Sequence, residues 1–271
     1  MDRHKLIDAA GTHHQPAPSG ARIVSLVPSL TELLFDMDLG RQVVGRTSYC
    51  IHPKSEVEAI PSVGGTKKIS LSKLRALNAD YVLMNIDENP KAMAAEISKL
   101  GIEVVVSHPK SVSDNLALFD LIGSIFSRTE RAKELQRQFS NIHKSLSSSH
   151  ATNPMRRVVY IIWREPWMTI SRDTYIADML SQVNWQAIEI NQSQRYPEFS
   201  FSNLDLDSID LVLFSSEPFA FDPSHIAEFA HSFPDHADKA FLIDGEMVSW
   251  YGSRAIPALR YLNTFARDVV S

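Results

Sequence analysis

Hydrophobic and polar positions change rhythm along the chain, and the changes divide it. Residues 1–20 are polar, and Gly11, Pro16, Pro18 and Gly20 break any period, so a loose tail is expected there. RIVSLV (22–27) then predicts a strand, and PSLTELLFDMDL a helix, with Pro28 and Ser29 where helix-start signals belong. QVVGRT (42–47) predicts a second strand. Leu71, Leu74 and Leu77 fall at helical spacing, and DYVLMN (80–85) predicts a third strand. PKAMAAEISKL stops at Gly101 before the apolar run IEVVVS (102–107). Strands alternating with helices predict a parallel α/β layer.

From Ser113 to about Ser147 the strand pattern lapses. Leu135, Phe139, Ile142 and Leu146 line one face of a helix, Ser113 is a candidate N-cap, and SSSHATNP ends the segment. After Arg156 the alternation resumes with RVVYIIW, RDTYIADMLSQV, SIDLVLFS, PSHIAEFAHSF, AFLIDG and a final helix. LRALNADYVLMN and LDLDSIDLVLFS echo each other across the two halves. The expected fold class is therefore α/β, with two Rossmann-like lobes joined by a single long helix. Its expected divisions are a tail at 1–20, lobes at 21–112 and 151–271, and the connecting helix at 113–150. Ligands of open α/β sheets sit beyond the carboxyl ends of the strands, so a ligand cleft between the lobes is expected there.

Composition narrows the function classes. A chain of 271 residues that is 44% hydrophobic can bury one large core or two modest ones. A net charge of −5, without a long Lys/Arg run, argues against nucleic acid or anionic lipid as partner. Its apolar runs fall short of the ~20 residues needed to span a bilayer, so no membrane insertion is expected. Cys50, the one cysteine, excludes an internal disulfide. MDRHKLIDAAGTHHQPAPSGA lacks an apolar h-region and a cleavage site, which predicts a cytoplasmic location, or a periplasmic one if a signal was removed.

The residues that follow each strand are the candidate ligand contacts. In the first lobe these are Pro28, Ser29, Tyr49, Gly64, Gly65, Asn85 and Glu88. In the second they are Trp163, Pro166, Trp167, Glu217, Phe219, Trp250, Tyr251 and Arg254. Three of the four tryptophans fall in these loops, and loop aromatics need something to pack on. Trp163 ends an apolar strand and suits core as well as cleft. Trp250 and Tyr251 suit a hydrophobic staple of the last helix or the lip of a site, and Gly252 beside them points to the lip. Arg254 sits near a helix start, where the dipole disfavours cations, and is expected to pair with a carboxylate such as Glu217, or with ligand.

Other chemistries find less support. His52, His108 and Glu88, with His225 or His231, are candidate metal ligands but show no tight spacing motif, and His225 with Glu228 reads as a solvated helix pair. His13 and His14 fall in the tail and are assigned no role. G-x-S-x-G, H-E-x-x-H, P-loop and G-x-G-x-x-G patterns are missing. Cys50 with His52 offers a nucleophile pair, against which stands a small buried thiol. No enzyme and no bound metal are expected.

RIVSLVPSLTELLF, SYCIHP, VGGTKK, LRALNADYVLMN and the mid-chain helix, in this order, resemble the class III periplasmic binding proteins with a helical backbone, and most of all their cobalamin-binding branch. The resemblance spans about residues 22–268. It implies two lobes that clamp a small-molecule ligand: a corrinoid, haem, an iron–siderophore chelate or a bare metal ion. In the cobalamin branch, aromatic side chains and backbone groups hold the corrin, so a cobalamin-like corrinoid is the expected ligand and no tightly bound cofactor is expected. Tyr49 matches a ring-contacting tyrosine of that branch, and Trp167 and the Trp250–Arg254 segment match the second lobe's contribution. Transport-competent members carry an acidic residue on each lobe that docks an ABC permease. Ser72 and Asn203 or Leu204 stand at those positions here, which implies a homologue without standard permease docking.

Overall fold

Four apolar runs of the first half become the parallel strands β1 (Ile23–Ser25), β2 (Val43–Arg46), β3 (Tyr81–Asn85) and β4 (Glu103–Ser107), in the order β2-β1-β3-β4. The computed structural model describes residues 6–150 and 153–270, which fall into two units. The described part of the first unit runs to Pro109 and adds Ser113–Phe139 and Tyr251–Arg254. Its central strands β1 and β3 are buried on both faces, as continuous apolar runs in parallel sheets require. Val24, Leu26, Val82, Met84 and Ile97 pack together on one side, each adding about 2 kcal/mol on burial.

Local chemistry sets the helices. The first, α1 (Pro28–Asp36), begins at a proline and ends where Asp38 turns to φ 57°. A short α2 (Lys54–Val57) follows β2. Ser70 caps α3 (Leu71–Ala76) by accepting from Lys73 N at 3.3 Å. Just beyond α4 (Lys91–Ser98), Gly101 takes φ 79°, the stop expected of it.

The stretch expected as one helix over 113–150 is two: α5 (Asp114–Ile125) and α6 (Thr129–His150). The break lies at Ser127, with φ 55°, where Arg128 N bonds back to Gly123 O at 2.7 Å. A Cβ on Gly123 would lie 2.6 Å from the Ala132 Cβ, so the two helices meet at a point only glycine allows. Helical periodicity is the same on both sides of such a break, which hides it from the sequence. The first unit includes α6 up to Phe139; the second takes it from Ser140 and also includes Lys110–Val112.

The expected loose tail is likewise corrected in its described part. Residues 6–14 fold back on themselves through an Ile7–His13 bridge and lie along β4, Ala9 N donating to Val106 O at 2.9 Å. Side chains hold this strap, not an apolar period, so hydropathy could not reveal it.

The second unit contains β5 (Arg156–Trp163), β6 (Met168–Thr169), β7 (Trp185–Ala187), β8 (Leu211–Ser215) and β9 (Ala240–Ile243). Strands β5, β8 and β9 run parallel. On the other edge of β5, β7 pairs in parallel with Arg156–Val158, and β6 pairs antiparallel near Ile161 and Trp163. At two and three residues, β6 and β7 are too short to show a period. Its helices are α7 (Tyr175–Ser181), α8 (Pro223–Ser232), α9 (Gly245–Ser249) and α10 (Ala255–Val270). Thr174, Asp222 and Asp244 cap α7, α8 and α9 through their side chains.

Candidate ligand-binding site

In the first unit the carboxyl ends of all four strands share one edge, because the sheet is parallel. Pro28 and Ser29 open α1 beyond β1, Tyr49 follows β2, and Asn85 and Glu88 follow β3. Tyr49 is 61% exposed, and Ile51 beside it and Ile86 after β3 are exposed as well. Gly65 lies against the Tyr49 ring: a Cβ there would sit 3.2 Å from its Cε2. Gly64 takes φ 133° and approaches Lys68 O so closely that a Cβ would lie 2.6 Å away. These two glycines shape the loop that carries Tyr49's neighbour. Asn85, by contrast, is buried and structural: its Oδ1 accepts from Asp87 N and its amide donates to Ser107 Oγ. Burial raises the Glu88 carboxyl pKa above the usual range, with Asp87 adding and Lys67 opposing. His108 Nε2 stands 3.4 Å from Asp87 Oδ2. Ile51, Lys67 and Ile86 lie within the strand-end segments SYCIHP, GGTKK and NIDENP, but were not singled out among the candidate contacts.

Tyr251 is placed otherwise than expected, and Arg254 finds a carboxylate far along the chain. Tyr251 is buried within the first unit instead of forming a lip. Burial drives its hydroxyl pKa well above the ordinary range; the charge of Glu88 adds to this, and the neighbouring Ser29 and Ser107 oppose it. Gly252, at φ 85°, donates its N–H to Asn115 Oδ1 and packs on Leu33 and the Ser29 carbonyl. Arg254 Nε bonds to Glu32 Oε2 at 2.8 Å, so it has the expected carboxylate partner, on α1 and not at Glu217. A partner so distant in sequence leaves no local signal.

In the second unit the strand-end aromatics separate into two roles. Trp163 ends β5, is 40% exposed, and meets the half-buried Phe219 edge-to-face at 5.7 Å. Pro166 lies exposed in the turn between β5 and β6. Trp167 points inward: it stacks on Phe221 at 6.0 Å and meets Phe201 edge-on at 5.3 Å. Arg164 lies over its ring at 5.4 Å and also forks onto Glu228 with two 2.8 Å bonds. Trp167 is thus mainly a prop for the aromatic core, and its partners lie too far along the chain for a loop motif to disclose. Trp250 is buried too, and its Nε1 donates to Glu217 Oε1, which also accepts from Ser249 Oγ at 3.0 Å.

His225 Nδ1 lies 3.0 Å from Asp222 Oδ1 in a capping box at the start of α8, so it serves the helix. Among the described residues no group of three or more His, Cys, Asp or Glu is placed to hold a metal ion. Cys50 is buried, with its thiol pKa pushed up by burial and its sulfur 3.1 Å from Thr47 Oγ1. Ser72 is exposed and bonds to Ser70; Asn203 is exposed beside Leu204. Among the described residues no helix is long and apolar enough to cross a membrane.

Residues 23–236 match the family model described as periplasmic binding protein. The chain belongs to that family. Among relatives of this periplasmic binding protein, the vitamin B12-binding protein of Yersinia pestis (strain Pestoides F) is 24% identical over 185 residues, 68% of this chain. The match spans 66% of that relative's own length, just under two thirds. In structure, the binding protein resembles the periplasmic vitamin B12 binding protein of Vibrio cholerae with a TM-score of 0.81 at 19% identity, covering 94% of this chain and 100% of that one. It also resembles a periplasmic haem-binding protein from Roseiflexus sp. RS-1, with a TM-score of 0.76 at 18% identity, covering 94% and 100%. At these identities the likenesses establish an α/β fold with two lobes of mainly parallel sheet. The cytoplasmic location expected from the first residues gains no support from relatives described as periplasmic.

Proposed function

We propose that the chain is a non-catalytic binding protein for a cobalamin-like corrinoid, taken up as an exchangeable ligand. The observation that carries this reading is the pairing of solvent-facing rings at strand ends in each unit: Tyr49 buttressed by Gly65, and Trp163 braced by Phe219. Rigid rings give a large planar macrocycle contact area at little cost in rotamer entropy. Glu88, which follows β3, offers carboxyl oxygens that can accept from the amide groups fringing a corrin. The vitamin B12-binding relatives support the same ligand class. Haem is the second reading, favoured by the haem-binding neighbour.

We place its work in the periplasm, in keeping with the family description. Docking to a permease through carboxylates lies outside the proposal, because Ser72, Asn203 and Leu204 supply none. Titration of the purified protein with cyanocobalamin, followed by tryptophan fluorescence and co-elution on gel filtration, tests the reading. Binding at micromolar ligand is expected. Haem binding without cobalamin binding would select the second reading, and silence toward both would end the proposal.

A further inference from the structure

A buried ion cluster fastens the amino-terminal strap to the edge of the first sheet. His14 has 0% side-chain exposure and lies between two carboxylates, with Nε2 3.1 Å from Asp8 Oδ2 and Nδ1 2.5 Å from Glu103 Oε1. Asp8 is equally buried and already accepts from the backbone N–H groups of Ala10, Thr12 and Val106. Glu103, on β4, is partly open to solvent, and its outer neighbours are the Tyr81 hydroxyl and, beyond it, Asp80. Both ring nitrogens of His14 therefore face carboxylate oxygens, which only the doubly protonated imidazolium satisfies by donating at each side.

The strap also closes something. Ala9, Ala10 and Thr12 wall a cavity of about 750 Å³ whose other sides include Met84, Val104 and Ala95. Small residues on the strap and on α4 leave this space open beside β4.

We infer that residues 6–14 form a proton-locked strap, held shut over β4 and the cavity while His14 is imidazolium and loosened when it becomes neutral. A neutral ring can donate to only one carboxylate. Asp8 keeps that bond, because its other bonds leave it nowhere to turn, and Glu103 swings to water, so the side-chain tie through Glu103 is lost and the bonds to Val106 alone hold the strap to β4. Burial alone would lower the His14 pKa, but the hydrogen bonds and charges of Asp8 and Glu103 outweigh it, and the net shift is upward from 6.5. The tie is therefore complete below pH 6.5 and is lost as pH rises through the folded-state value above it.

Amide hydrogen exchange of the strap and of Val106, corrected for intrinsic rates, tests this between about pH 6 and pH 9. Exchange about tenfold faster at the upper end is expected, the size of one charge-assisted hydrogen bond, while peptides from β5 and α6 stay protected. In the Glu103→Gln variant the amide can accept from the charged ring or donate to the neutral one, so the pH step should disappear. A wild-type strap equally protected at both ends, or a full step retained in Glu103→Gln, would overturn the inference. Should that variant fail to fold, an NMR titration of the His14 ring in the wild-type chain decides: its midpoint must lie above 6.5 and coincide with the exchange step, and any other midpoint refutes the lock.

Discussion

Arg254 and Glu32 stand 222 positions apart, yet Arg254 Nε donates to Glu32 Oε2 at 2.8 Å with only 11% and 20% of the two side chains exposed. Burial holds the Glu32 pKa above 4.5 even with Arg254 opposing it. The folded state thus keeps the Glu32 proton more tightly than the unfolded chain, and stability from this group falls as pH rises above 4.5. Arg254→Ala leaves a carboxylate without its guanidinium and should cost about 3 kcal/mol at neutral pH. Part of that loss should return at acid pH, as Glu32 takes up a proton; urea midpoints measured at neutral and at acid pH check both statements.

Tyr49 is mostly exposed, so its truncation should leave the fold alone and strike binding. Tyr49→Ala is expected to weaken cobalamin binding by at least about tenfold, with an unchanged thermal midpoint. Trp250→Ala should do the reverse in kind. It removes a buried ring and the donor to Glu217, and should destabilise the second unit by about 4 kcal/mol in chemical denaturation.

Gly64→Ala tests the loop beside Tyr49. A methyl group there meets the Lys68 carbonyl at 2.6 Å, at a φ that L residues rarely adopt. A loss of about 2 kcal/mol in stability is expected, together with weaker cobalamin binding measured by calorimetry on the folded fraction.

Asp8 predicts an acid limb. Burial opposes its charge, but His14 and the backbone N–H groups of Val106 and Thr12 together bring its pKa below 3.8. Its contribution to stability is present above 3.8 and is lost as pH falls through the lower folded-state value. Asp8→Asn should therefore flatten the pH dependence of the unfolding midpoint below about pH 4; an unaltered slope would refute it.

The α/β layering was legible because β1, β3, β5 and β8 are buried apolar runs separated by helices with ordinary caps. The Ser127 break was not, since a positive φ at one serine leaves the flanking periods intact. Strand ends located the candidate loops but could not say which rings turn inward. Trp167, Trp250 and Tyr251 were read as lining, and their contacts with the distant Phe221, Glu217 and Ser29 leave no local pattern in the sequence. Tyr49 was placed on a strand-end loop because it follows β2, and there its ring is exposed.

The four residues Tyr251–Arg254 complete a unit whose strands were all made by residue 107. On a ribosome, then, the first sheet emerges long before the glycine that bonds Asn115 or the arginine that meets Glu32. That half must wait, with part of α1 uncovered, until residue 254 has been synthesised. A fragment ending after α6 should therefore be an unfinished body, not an independent one.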